Sequence, residues 1–201
     1  MNAFTRSAPA ALLILAGPAL QAQELSPRIG INAYFTQPAD TAGKIYSSGW
    51  KVNLAIHVRR ESEVEGRLRL EAGEFREGKE VERNPYSVTR YSASTRLVGY
   101  DWLIPFGPKR ETGVDLILGI GGAHWFRERR TVPVMQTPYP WYDTSTTQHE
   151  LAFAGTVGLR FRLSRAVALE IHHVLTSLPG SDRDFEDAEL SHTAVGVGVR
   201  F

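Results

Sequence analysis

The stretch LEIHHVLTS brings an acid, two imidazoles and a hydroxyl close together as Glu170, His172, His173 and Ser177. These are the residue types of a hydrolytic triad, in which a base takes the proton of a serine and an acid orients the base. The spacing works against that use. In an extended chain, side chains alternate between two faces, so Glu170 and His172 share one face while His173 and Ser177 share the other. Ser177 also stands where the apolar run gives way to loop residues. The expectation is no enzyme, with Glu170 and His172 joining a polar network. His173 and Ser177 are the pair that a hydrolase would have to use.

Three other stretches invite a chemical reading. In SDRDFEDAEL the carboxylates Asp182, Asp184 and Asp187 crowd one segment, but the central glycine and ligand spacing of a calcium loop are missing. The expectation there is a solvated acidic loop and no metal. VPVMQTPYPWYD sets Tyr139, Trp141 and Tyr142 among prolines, and aromatics on a stiffened loop are candidates for contact with an outside molecule. GIGGA lies in an alternating apolar run with no helix after it, so it is no nucleotide loop. The absence of cysteine removes disulfides and thiolate chemistry. With 23 basic and 22 acidic residues there is no basic excess for nucleic acid. No cofactor is expected.

The elements that carry these residues are strands. The N-terminal segment, residues 1–22, has one basic residue (Arg6), an apolar run, a Gly-Pro break and small residues ending at Ala22, the plan of a cleaved secretory signal. From residue 23 to 201 the recurring signal is alternation with period two. GWKVNLAIHVRR sets Trp50, Val52, Leu54, Ile56 and Val58 against Lys51, Asn53, His57 and Arg59. Similar runs begin near Pro27, Glu65, Tyr91, Gly113, Glu150, Ala166 and His192, eight strands in all. The run around residues 90–105 puts Arg96 on its apolar face, so a bulge or register shift is expected near it. The connections alternate between long and short, with 127–148 read as the longest. Strands joined in this way form an up-and-down meander that eight members can close into a barrel.

Side-chain size decides which face is wet. The polar face is rich in small residues (Gly119, Ala152, Ala154, Gly158, Gly196, Gly198), and the other face carries Leu, Val, Ile and Phe. The interior of an eight-stranded barrel holds only a compact set of side chains, so the bulk belongs outside, facing lipid. The lumen then receives Lys51, Arg59, Arg67, Arg69, Glu71, Asp101, Asp115, Arg160, Arg162, Glu170 and His172. Buried charges persist only when paired, so a plugging ion-pair network is expected. Aromatics near the strand ends, including Tyr34, Trp50, Trp102, Trp125 and Phe201, fit interfacial girdles.

On these features the chain resembles the small eight-stranded outer-membrane β-barrels of Gram-negative bacteria, the OmpX and OmpA-barrel type. The resemblance covers nearly all of residues 27–201. It rests on pattern and on the ending HTAVGVGVRF rather than on a specific motif. It implies an all-β transmembrane barrel with long extracellular loops and short periplasmic turns. It also implies a terminal Phe201, preceded by Val199, Val197 and Val195, read by the outer-membrane assembly machinery; Thr193 departs from the usual large apolar residue. Some barrels of this kind are lipid A deacylases, whose histidine lies two residues from the serine, unlike His173 and Ser177 here. The expected function is a structural or surface-interaction role carried by the extracellular loops of a monomer, amid outer-membrane lipid and lipopolysaccharide. The alternatives are a lipid-modifying enzyme and a small pore or hydrophobic-ligand conduit.

Overall fold

A computed structural model describes residues 27–39, 42–59, 64–78, 82–83, 85–107, 111–134, 144–177 and 191–201. Its elements are β1 (Arg28–Pro38), α1 (Ala42–Ile45), β2 (Tyr46–Arg59), β3 (Glu65–Glu77), β4 (Glu82–Arg83), β5 (Ser87–Phe106), β6 (Gly113–Pro133), β7 (Thr144–Arg162), β8 (Val167–Ser177) and β9 (His192–Arg200). Consecutive long strands pair antiparallel, β9 pairs with β1, and β3 pairs directly with β5. That last pairing closes the circuit. Eight strands therefore form a complete barrel, with the two-residue β4 attached to β5 outside it. Closure leaves no lipid-facing edge with unpaired backbone groups, which hydrocarbon would not tolerate.

The alternation becomes two concentric surfaces through the register. Ile31 pairs with Leu54 on one side and Val199 on the other, and all three are exposed on the outer wall. One step along, Asn32 pairs with Asn53 and Gly198, and these lie inside. Outward apolar positions continue around the circuit, from two large side chains on β3 (Leu68, Leu70) to four on β9 (Val195, Val197, Val199 and the adjoining Phe201). Together they form the apolar band of a membrane barrel. The small inward residues are there because backbone and side chains of the neighbouring strand fill the space. A Cβ built on Gly196 would collide with the Ala33 carbonyl oxygen and the Tyr34 ring. Gly196→Leu is thus expected to abolish the compact, heat-modifiable form on gels, whereas a leucine at outward Val197 should leave it intact.

Several expectations are corrected. No register shift occurs in β5, whose pairing with β3 and β6 runs unbroken through Arg96. The side chain simply faces out over the Phe126 ring. The one irregularity in the β2–β3 ladder falls instead between Tyr46 and Gly49. The segment 127–148 is mostly ladder, because β6 runs to Pro133 and β7 starts at Thr144. Tyr34 and Trp125 belong to no girdle. Both point inward and are almost fully buried, as the parity of their strands requires.

Candidate functional site

Two regions could carry function, the barrel interior and the part of the wall that rises beyond the other strands. The interior is layered. At the rim with the short connections, Glu65 at the start of β3 sits among cations from other strands. Both nitrogens of contact are short: Arg200 Nη1 lies 3.1 Å from each Glu65 oxygen, and His57 Nδ1 lies 2.6 Å from Oε1. Arg160 Nη1 stands 3.4 Å from the same oxygen, and beside it Arg162 Nε is 3.2 Å from Asp115 Oδ1.

The middle layer centres on Arg67, fully buried on β3. Its Nε donates to Asp101 Oδ2 at 2.8 Å and its Nη1 to Glu170 Oε1 at 2.6 Å. The other Glu170 oxygen accepts from the Tyr34 hydroxyl at 2.7 Å, and that hydroxyl accepts from Asn53 at 3.3 Å. Asn32 donates to Asn53 in turn. Lys51 Nζ donates to Glu71 Oε1 at 3.0 Å, and Arg69 donates to Thr156 Oγ1 at 2.8 Å. His172 presents its ring to the edge of Tyr34, with centroids 4.8 Å apart. Three cations (Lys51, Arg67, Arg69) thus face three carboxylates (Glu71, Asp101, Glu170), all of them buried. Charge balance with hydrogen-bonded geometry is the condition under which such groups can stay out of water.

The outer layer is apolar, so the polar network does not extend through it. Ile45 from α1, Tyr46, Phe75, Tyr91, Leu97, Trp125 and Val174 form a core cluster with small alanines between them. Phe75 stacks on Trp125 at 5.5 Å. His192 joins the two layers, with its ring 5.2 Å from Phe75 and its Nε2 3.3 Å from Lys51 Nζ. Here the long-connection rim is wide enough for large rings.

The residues singled out in the sequence divide accordingly. Lys51, Arg67, Arg69, Glu71, Asp101, Asp115, Arg160, Arg162, Glu170 and His172 all face the interior. Arg59 ends β2 with its side chain outside the described residues. Tyr139, Trp141, Tyr142, Asp182, Asp184 and Asp187 also lie outside them, as do residues 1–22. His173 is half-buried on the outer wall with Nδ1 3.0 Å from Thr193 Oγ1, and Ser177 is exposed at the end of β8. Four extended residues separate them by about 13 Å, too far for proton transfer. Glu65 was missed because it follows a turn, and the outward rows drew attention away from it. Tyr34 and Trp125 were misplaced because aromatic type was allowed to outweigh strand parity.

The second region is the wall β5–β6–β7. β6 and β7 are paired from Gly113 opposite Arg162 to Thr131 opposite Thr144, but β8 pairs with β7 only between Phe153 and Arg162. Among the described residues, the upper parts of β5, β6 and β7 therefore continue as one sheet past the pairings of β3 and β8, with the short β4 laddered to β5. Along Thr144–Ala152 one edge is laddered to β6, and the other has no strand partner among the described residues. Thr144, Ser145, Thr146 and Thr147 on that edge are exposed. The inner face carries Arg127, which is 2.9 Å from Glu150 through Nη2, and Arg129 over the Tyr91 ring.

No known sequence family and no curated protein matches the chain. Solved structures do. The attachment invasion locus protein Ail of Yersinia pestis aligns with a TM-score of 0.53 at 14% identity, over 87% of this chain and 97% of that one. The same protein in complex with the heparin analogue sucrose octasulfate gives 0.54 at 13%, over 89% and 100%. A major outer membrane protein of Thermus thermophilus gives 0.50 at 11%, over 88% and 100%. At such identities the likeness is one of fold, and the fold is that of the small eight-stranded outer-membrane barrels.

Proposed function

We propose that this protein is a non-enzymatic outer-membrane barrel that works by recognition at the cell surface, through the sheet that β5, β6 and β7 raise above the bilayer. The observation that carries this reading is the edge Thr144–Ala152, which has no strand partner among the described residues and is held on its other side by β6. Nine residues of strand offer about 30 Å of backbone donors and acceptors, a template on which an extended segment of another molecule can add a strand. Fixing such an edge on a sealed barrel removes most of the ordering cost of binding. The layered interior supports the same division of labour, since ion pairs and stacked rings fill the space a conduit would need. Phe201, on the outward row with Val195, Val197 and Val199, presents the ending expected for recognition by the assembly machinery, and lipopolysaccharide is the expected surrounding lipid on the outer side.

The test is a clipped protein in which residues 129–146 are replaced by Asn-Gly, joining Glu128 to Thr147. It retains every barrel pairing below that level. Bacteria displaying it should show the same amount of heat-modifiable protein in the outer membrane but lose adhesion to extracellular-matrix protein coatings relative to cells with the full sheet. Equal adhesion by both, with equal assembly, overturns the reading.

A further inference from the structure

We propose that the outer wall of β5–β6–β7, at the upper border of the apolar belt, binds one phosphorylated glycolipid of the outer leaflet. Its phosphate is held by Arg96, His124 and His149, and an acyl chain lies in the depression at Gly122 and Gly155. The inference needs only the barrel seated in a bilayer with this rim outward; it does not depend on the raised sheet being a recognition surface.

The head station follows from the register. Arg96 pairs with His124, and His124 with Leu151, on an outward rung. The next outward rung towards the membrane is Val98, Gly122 and Phe153, and the next away from it brings Phe126 opposite His149. Arg96 therefore sits at the boundary where apolar outward positions give way to polar ones. Its guanidinium carbon lies 5.2 Å from the centre of the Phe126 ring, and among the described residues it makes no ion pair. The lumen carboxylates point to the other side of the wall, and outward Glu74, diagonal to Arg96 on β3, does not pair with it. The two imidazoles gather round the same ring, His124 at 4.3 Å and His149 at 5.0 Å, with 5.8 Å between them. Three groups bearing N–H donors thus converge on one outward spot. A cation with no carboxylate partner among the described residues, placed at the depth of the lipid headgroups, is complementary to a phosphate, which accepts charge-assisted hydrogen bonds.

The second half of the site lies directly below. Gly122 and Gly155 face outward on neighbouring strands, Gly122 opposite Phe153 and Gly155 opposite Ile120. A Cβ at either would meet open space, so no packing reason inside the protein excludes a side chain there. The wall is consequently low at this point, and Phe153 and Leu151 stand up beside it at 74% and 71% exposure. A cationic station immediately above a smooth apolar seat selects an amphiphile over a soluble phosphate. On the outer leaflet the phosphorylated amphiphile is a glycolipid.

The test uses the intact protein in phosphatidylcholine nanodiscs, titrated with bisphosphorylated lipid A, with lipid A stripped of its phosphates, or with phosphatidylglycerol. The readout is the temperature at which the compact, fast-migrating gel form is lost, which rises when a ligand binds the folded state. A rise is expected with bisphosphorylated lipid A alone. The R96Q/H124Q/H149Q variant, altered only on the outer wall, should reach the same compact form but bind about tenfold or more weakly. A G122L/G155L variant keeps the cation, fills the seat and should also bind more weakly. Equal binding by wild type and the R96Q/H124Q/H149Q variant overturns the proposal. So does an equal response to dephosphorylated lipid A or to phosphatidylglycerol.

Discussion

Arg67→Leu is expected to lower the stability of the folded barrel by about 3–5 kcal/mol, the usual cost of removing one partner from a buried ionic cluster. Among the described residues, Arg67 alone hydrogen-bonds both Asp101 and Glu170, at 2.8 and 2.6 Å. The remaining cations nearby are more distant, with Arg69 Nη2 3.5 Å from Asp101 and Arg160 Nε 3.6 Å from Glu170. Two carboxylates would be left in a space closed to water, and that penalty exceeds the value of the lost bonds themselves. Urea unfolding in detergent micelles, followed by gel mobility, measures the change. Arg67→Lys should fall between wild type and Arg67→Leu, because an ammonium keeps the charge but cannot fork to two carboxylates. Adding D101N and E170Q to the Arg67→Leu protein should recover part of the loss. An Arg67→Leu midpoint equal to wild type would show that the cluster carries no such strain.

Trp125→Ala should cost a similar amount, about 3–5 kcal/mol, by a different route. Trp125 is 1% exposed and stacks on Phe75 at 5.5 Å, with the His192 ring 6.3 Å away. Truncation would open a hole bounded by strand backbone that hydrogen bonding holds in place, so the surroundings can collapse only in part. Trp125→Phe should recover much of the loss by restoring a ring. The same unfolding measurement decides it, and a cost below about 1 kcal/mol would mean that the outer layer is loosely packed and fills space without contributing a core. The two substitutions also differ in kind. A swap of the whole Arg67 cluster for apolar residues is a reasonable redesign, whereas no polar replacement of Trp125 is.

The strand pattern was legible because outward and inward residues differ in both polarity and size. Gly196, Gly198 and Ala194 against Val195, Val197 and Val199 leave no doubt about which way β9 faces. Legibility fails where that contrast fades. Above the bilayer both faces of a strand can be polar, so the ladder through Arg127–Pro133 and Thr144–Gln148 read as a loop. In the outer lumen both faces can be apolar, and Trp125 read as an interfacial anchor although Ala123 and Arg127, two positions either side, point inward. Which charges share the lumen could be listed from parity. Which carboxylate meets which cation could not, because Glu65 with Arg200, or Arg67 with Glu170, join strands on opposite sides of the circuit. The lipid-facing station shows the same limit. Arg96 looked like a flaw in its strand until the neighbouring strands supplied His124, His149 and the low wall beneath them.

The seam between β1 and β9 bears on time as well as on structure. It pairs Gly30 with Arg200, and the lumen contact beside it links Arg200 to Glu65, 135 positions away. Until those last residues exist and dock, β1 has an unpaired edge, and seven-eighths of a barrel is no stable object in hydrocarbon. Contacts so distant in sequence form slowly. The expected order is therefore hairpins first and closure last, in one concerted event. A chain caught before that event has no partly inserted resting state, so its fate turns on whether assembly or proteolysis reaches it first.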